Sequence, residues 1–183
     1  SSSALVISIA QSIFHLFNIQ IEDRQLARLC QKIENRALGT AGGLLDQYGI
    51  ILSKKDQFMV IDFQDDSIEY IPAILNDCTW IVVNSQVPRE LSESAYLQRV
   101  KECNEGLKIL KKISGISSFR DIDQPMLELL KEKFDVLYKR LCHVIDENQR
   151  VLDMKNQLQK GSAEKVGAIL KDSHKSLRYL YEV

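Results

Sequence analysis

Three short stretches hold residues whose types and spacing can do chemistry. In Gly39 to Gly49, read GTAGGLLDQYG, a single carboxylate, Asp46, follows a run of glycines at the expected start of a helix. Glycines let a backbone approach a ligand closely, and a helix N-terminus adds unpaired N–H groups and positive partial charge. An Asp held there can receive a hydroxyl proton in a small-molecule site; the alternative is a helix cap after a tight turn. The run Ser1-Ser2-Ser3 opens the first expected helix, where hydroxyls and N–H groups can hold phosphate oxygens and a metal, or merely cap the helix. Glu34 precedes Asp46 by 12 residues and offers a hard oxygen ligand for Mg²⁺, with a surface ion pair as the alternative. Phosphate cradle, metal carboxylate and base together are the requirements for phosphoryl transfer to a hydroxyl.

The elements that must position these groups follow from periodicity. Ala4 to Phe17 is strongly apolar and reads as a buried helix, although its first half is also compatible with a strand. Arg24 to Glu34 reads as an amphipathic helix with Leu26, Leu29, Cys30 and Ile33 on one face; Glu34 falls at the border of that face, where an unpaired carboxylate would be costly. A third helix is expected over Leu44 to Leu52. Strands are expected at Phe58–Phe63, Ser67–Ile71 and Thr79–Asn84, separated by polar turns at Gln64-Asp65-Asp66 and Asn76-Asp77, with Trp80 in the core.

From Glu93 the pattern is helical. Tyr96, Val100, Cys103, Leu107 and Leu110 form a stripe that Gly115 ends. Pro125 opens a helix expected to reach Tyr138. A further helix carries Leu141 to Leu158 and ends at Gly161, and Ser162 is the expected N-cap of the last helix. The fold class expected is α+β with two domains: a helix–sheet part, residues 1–87, followed by a mostly helical part, residues 88–183, with the joint near Val87-Pro88. Both parts are expected to be incomplete, the chain reading as a segment of a longer protein.

Bulk properties narrow the function classes. The 183 residues suit one large domain or parts of two, and 45% apolar with 27% charged residues is an ordinary globular balance. The net charge of −1, without a basic block, argues against nucleic acid, and no apolar run is long enough to span a membrane. Cys30, Cys78, Cys103 and Cys142 show no metal spacing and suit a reducing, cytoplasmic setting. His15, His143 and His174 are isolated and read as surface or packing residues.

The chain resembles the galactokinases, within the small-molecule kinases named for galactokinase, homoserine kinase, mevalonate kinase and phosphomevalonate kinase. The resemblance rests on Ser1-Ser2-Ser3-Ala4-Leu5, Cys30-Gln31-Lys32-Ile33-Glu34-Asn35 and Gly43-Leu44-Leu45-Asp46-Gln47. Further motifs follow in order: Asn84-Ser85-Gln86-Val87 with Arg89-Glu90-Leu91; Ser94-Ala95-Tyr96 with Arg99 and Glu102-Cys103; His143-Val144 with Glu147-Asn148; and Ser173 to Arg178, then Tyr181-Glu182-Val183. By position, the resemblance implies that Asp46 meets the sugar C1 hydroxyl as base or electrostatic partner. It implies that Gly43 makes a backbone contact to the sugar and that Tyr96 donates a hydrogen bond to it. Ser2 and Glu34 would hold Mg²⁺ at the ATP phosphates, with Ser1 a neighbouring phosphate-binding residue.

The implied activity is ATP-dependent phosphorylation of galactose to galactose 1-phosphate, with ATP and Mg²⁺ required. The implied partners are a small-molecule sugar and ATP, with no nucleic acid or membrane and a monomer slightly favoured. Leu45 replaces the usual Met and Pro88 a common basic residue, and Leu44-Leu45-Asp46-Gln47 with Ile51-Leu52-Ser53 is similar to the galacturonate kinases. A 1-kinase for galacturonate, arabinose or N-acetylgalactosamine therefore stays open, as do a non-catalytic sugar sensor on the same fold and a partner-binding helical bundle. The resemblance also implies that the family's N-terminal sugar-binding motif, catalytic Arg, preceding glycines and C-terminal glycine-rich motif lie outside this segment, so that residues 1–183 alone are expected to be inactive.

Overall fold

The apolar spacing of the first forty residues produces a helical hairpin. The computed structural model describes residues 2–40, 42–75, 78–84, 86 and 95–182, the side chains of Ala95 and Tyr96 excepted. The chain divides into two compact units, one built on residues up to Ala73 and the other on residues from Ile74 onward. The expected joint at Val87-Pro88 and the turn at Asn76-Asp77 lie outside the described residues.

In the first unit, α1 (Ser2–Leu16) packs on α2 (Asp23–Leu38), and α3 (Leu45–Ile51) packs on both. Ile7 and Ala10 of α1 meet Leu26 and Cys30 of α2, with Val6, Phe14, Ile21 and Ile51 around them. Two expectations are corrected here. The first element is a helix throughout, but it is not buried all round: Leu5, Ile9, Ile13, Leu16 and Phe17 are exposed, because only one face meets α2 and α3. The buried face of α2 is Leu26, Ala27 and Cys30, whereas Leu29 and Ile33 are exposed. The small Ala27 lets a neighbour approach where a leucine would hold it away.

An antiparallel hairpin completes this unit, β1 (Gln57–Asp62) paired with β2 (Ser67–Pro72) in the register Gln57↔Pro72 to Asp62↔Ser67. The expected polar turn at Gln64-Asp65-Asp66 is present, but Phe63, expected in the first strand, belongs to the turn. The hairpin is anchored by the Tyr70 hydroxyl, which donates to the Leu52 carbonyl (2.7 Å), and by Asp66, held from three directions as described below.

The second unit is a helical bundle around α6 (Asp135–Gln159), against which α4 (Ala95–Ser114), α5 (Gln124–Lys131) and α7 (Ala163–Ser176) pack. Its core is Cys103, Leu110, Ile122, Leu127, Leu130, Leu141 and Tyr181. At Gly106 the α4 backbone comes so near α6 that a Cβ would lie 2.9 Å from Leu141 Cδ1. Gly115 and Gly161 adopt left-handed backbone (φ 68° and 67°) and end α4 and α6 as expected.

Three expectations fail in this unit. Thr79–Asn84 is not a strand: it has no regular hydrogen bonding, and Ile81, Val82 and Val83 are 77%, 99% and 81% exposed. Its β-branched residues suit a pleated surface, but strand formation requires a partner, and the described sheet has only β1 and β2. Trp80, expected in the core, is 54% exposed in the same segment. The helix from Pro125 stops at Lys131 instead of Tyr138: the Lys133 and Phe134 amides both turn back to the Leu130 carbonyl, and α6 starts afresh at Asp135. Ser162 occupies the N-cap position of α7 as expected, without a side-chain capping bond. Asp123 does cap α5, accepting from the Met126 amide at 2.9 Å beside Pro125.

Candidate active site around Glu34

The helical hairpin sets Ser2 and Ser3 against the C-terminal half of α2. Ser2 and Ser3 occupy the first turn of α1, and both hydroxyls reach one carboxylate. Ser2 Oγ donates to Glu34 Oε1, and Ser3 Oγ donates to Glu34 Oε2 at 2.7 Å. A third donor arrives from α3: Gln47 Nε2 lies 2.7 Å from Glu34 Oε2 and 3.4 Å from Ser3 Oγ. Ser3 and Gln47 are both 3% exposed, and Glu34 is half-buried. The surface ion pair does not form: among the described residues no lysine or arginine pairs with Glu34, and its partners are two hydroxyls and an amide.

Asp46 lies one residue before Gln47, in the first turn of α3. Its side chain is exposed, and among the described residues no group hydrogen-bonds to its carboxylate. The loop that precedes it is held by α2. Asn35 Oδ1 accepts from the Gly42 amide (2.8 Å) and from Thr40 Oγ1 (3.0 Å), while Asn35 Nδ2 (3.0 Å) and Gln31 Nε2 (2.9 Å) donate to the Gly42 carbonyl. A Cβ on Gly42 would meet Asn35 Oδ1 at 3.2 Å, a contact that a few tenths of an ångström of give in Asn35 would relieve. Gly43 follows, exposed and with open space where a side chain would be.

The other side of α3 is fixed to the hairpin. Tyr48, fully buried, donates to Asp66 Oδ1 at 2.6 Å. Arg28 NH2 (2.6 Å) and Arg24 NH1 (3.0 Å) reach Asp66 Oδ2 from α2. The Tyr48 hydroxyl, then the two guanidinium groups, hold the Asp66 carboxyl below its ordinary range. Burial, then the adjacent carboxylate, pushes the Tyr48 hydroxyl up. Helix α3 is thereby clamped between Glu34 through Gln47 and Asp66 through Tyr48.

The structure thus brings Ser2 and Glu34 together and places Gly43 and Asp46 on the adjoining loop and helix. Ser1 and the side chain of Tyr96 lie outside the described residues. Sequence reasoning assigned no roles to Gln31, Asn35 or Gln47, and it read Ser3 only as part of the serine run. The signal for Gln31, Glu34 and Asn35 was their i, i+3, i+4 spacing on one helix face, whereas nothing local announced that Gln47 turns inward.

A hard divalent cation fits these donors. Ser2 Oγ and the Glu34 carboxylate are hard oxygen ligands of the kind that Mg²⁺ takes, and the carboxylate lacks a cationic partner among the described residues. Among the described residues no helix is long and apolar enough to cross a membrane. His143, one of the three isolated histidines, packs in the bundle, with Nδ1 2.8 Å from Ser176 Oγ and its ring stacked on Tyr181.

Comparison with known proteins agrees with the motif pattern. Residues 1–54 match the GHMP kinases N terminal domain. The whole chain is 35% identical to a galactokinase of Clostridium perfringens, covering 48% of that protein, and 37% identical to a galactokinase of Thermotoga maritima, covering 50% of it. The chain therefore spans about half the length of the curated relatives it matches. The crystal structure of Lactococcus lactis galactokinase complexed with galactose superposes on the entire chain with a TM-score of 0.92 at 30% identity, using 48% of that protein. In motif, sequence and helix-rich α+β fold, the chain resembles the galactokinases of the GHMP kinase group over its whole length.

Proposed function

We propose that this chain supplies part of the active site of an ATP-dependent sugar 1-kinase, with galactose the first substrate to test and galactose 1-phosphate the product. The observation that carries this reading is the convergence of Ser2, Ser3 and Gln47 on a Glu34 that has no cationic partner among the described residues, with Asp46 next in sequence to Gln47. The motif resemblance and the galactose named in the Lactococcus structure support the sugar. On this reading residues 1–87 belong to the N-terminal domain of the kinase and 88–183 to its helical C-terminal part.

The reaction joins the sugar C1 oxygen to the γ-phosphorus of ATP, breaks the β–γ bridge and releases the hydroxyl proton. Asp46 is the acceptor for that proton or the negative charge that polarises the hydroxyl, and its exposed carboxylate, unpartnered among the described residues, suits either role. Gly43 offers backbone to the sugar without a side chain in the way. Tyr96 is the proposed donor to a sugar hydroxyl. Ser1 and the N-terminal turn of α1 are the proposed binding groups for phosphate oxygens. Ser2 and Glu34 would hold Mg²⁺, which when bound neutralises phosphate charge. Catalysis of this kind rests on positioning and charge more than on any one group.

The test is ADP release by the full-length protein, with ATP and a panel of galactose, galacturonate, arabinose and N-acetylgalactosamine. Turnover on galactose above the rest supports the reading. Preference for another sugar reassigns the substrate, and binding without turnover identifies a sugar sensor.

A further inference from the structure

We propose that Gln47 is a positioning residue: with Ser3 it occupies Glu34 Oε2 and so reserves Oε1, the oxygen shared with Ser2, for a divalent cation. The inference rests on the kinase reading and adds a residue to it.

The two oxygens of Glu34 are treated differently. Oε2 accepts two hydrogen bonds of 2.7 Å from residues that are both 3% exposed, whereas among the described residues Oε1 accepts only from Ser2 at the more open end of the cluster. Two bonds on one oxygen fix the rotation of the carboxylate and leave the other oxygen pointing to the serine. The donors on Oε2 are neutral. A lysine or arginine in their place would hold Glu34 equally well but would compete with a cation for its charge; an amide holds it and leaves the charge available.

Gln47 also departs from a plain packing residue. Its Oε1 is buried with no partner among the described residues, which costs stability that an apolar side chain would not. Turning the amide over would set Oε1 against the carboxylate and lose the bond to Glu34. The arrangement keeps that bond at the expense of an orphaned oxygen. Because Gln47 adjoins Asp46 on α3, the same side chain also ties the helix of the proposed base to the metal carboxylate.

The experiment uses the full-length protein and measures ADP binding by calorimetry across a Mg²⁺ series, galactose binding without nucleotide, and thermal stability. Gln47→Met removes the donor at similar size, and Ser3→Ala removes the second donor with little risk to folding. Glu34→Gln serves as control. Gln47→Met is expected to raise the Mg²⁺ half-saturation about tenfold, with Ser3→Ala shifting it the same way by less and galactose affinity within twofold of wild type. If Glu34→Gln raises the half-saturation and neither Ser3→Ala nor a folded Gln47→Met does, the inference is overturned while the kinase reading stands. Should Gln47→Met fail to fold, Ser3→Ala alone decides by the same criterion. If Glu34→Gln itself changes nothing, the metal assignment falls and takes the inference with it.

Discussion

Glu34 in the first unit and Glu102 in the second are both partly buried carboxylates on long helices, and they are satisfied in opposite ways. Glu34 meets only neutral donors among the described residues. Glu102 meets two arginines: Arg140 Nε at 2.7 Å and Arg99 NH1 at 3.0 Å. Arg140, 2% exposed, continues to Glu182 Oε2 (2.8 Å) and to the Leu180 carbonyl, pinning the end of the described chain onto α6. Burial pushes the Glu102 carboxyl up, but the bonds from Arg140, Gln98 and Arg99 outweigh it and hold it below its ordinary range. A carboxylate neutralised by its own protein is structural. A carboxylate held in place but left charged is available to something that arrives later.

The comparison can be broken by substitution. The largest expected effect is on the helix beside Glu34: Asp46→Asn in the full-length protein should lower turnover by about 10²- to 10⁴-fold, with galactose affinity changed far less. Turnover within a few-fold of wild type would remove Asp46 from the chemistry. Next is the structural carboxylate. Arg140→Met should destabilise the protein by about 3 kcal/mol, read from chemical denaturation, because Glu102 and the Leu180 carbonyl lose a shared donor; an unchanged midpoint would show that the network contributes nothing. Glu34→Gln should do the reverse, leaving the denaturation midpoint within about 1 kcal/mol while raising the Mg²⁺ needed for activity. If instead its stability falls as far as that of Arg140→Met, the two carboxylates are of one kind.

The smallest effect sharpens the contrast from the structural side. Asp121 Oδ2 accepts from the amides and hydroxyls of Ser117 and Ser118, the Ser117 hydroxyl first in strength, and its carboxyl is held down to about 2 from 3.8. A depressed carboxyl pKa contributes stability that is present above the unfolded value and lost as pH falls through the folded one. The difference in melting temperature between wild type and Asp121→Asn should therefore be constant above about pH 5 and close as pH falls from about 4 to 2. A gap that persists at pH 2 would place the effect in packing and not in ionisation.

How far the sequence could be read differs between these parts for physical reasons. Helices α2, α4, α6 and α7 repeat an apolar stripe often enough to show in a single chain, and Gly115 and Gly161 end two of them where left-handed backbone is required. The α5–α6 break carries no proline or glycine, since it is made by amides turning back on Leu130. Thr79–Asn84 has strand composition, but pairing is a property of two segments. Glu34 and Asp46 could be nominated as candidates from motif and spacing. The Arg140 network was not: its partners lie 38 and 42 residues away, and a sequence of 24 basic and 25 acidic residues offers too many possible pairs. The clamp of Tyr48, Arg24 and Arg28 on Asp66 was hidden for the same reason.

The near-contact of Gly106 with Leu141 has an evolutionary consequence. A Cβ at 106 would stand 2.9 Å from Leu141 Cδ1 and 3.2 Å from Cγ, and Leu141 is fully buried, so Leu141 would have to shift within a packed core. The two positions cannot drift independently: a larger residue at 106 is tolerated only after a smaller one appears at 141. Substitutions there should be strongly non-additive, each single change harmful and the volume-exchanging pair Gly106→Ala with Leu141→Val partly restored. Among homologues, positions 106 and 141 should therefore trade volume and record, in covariation, the spacing of two helices.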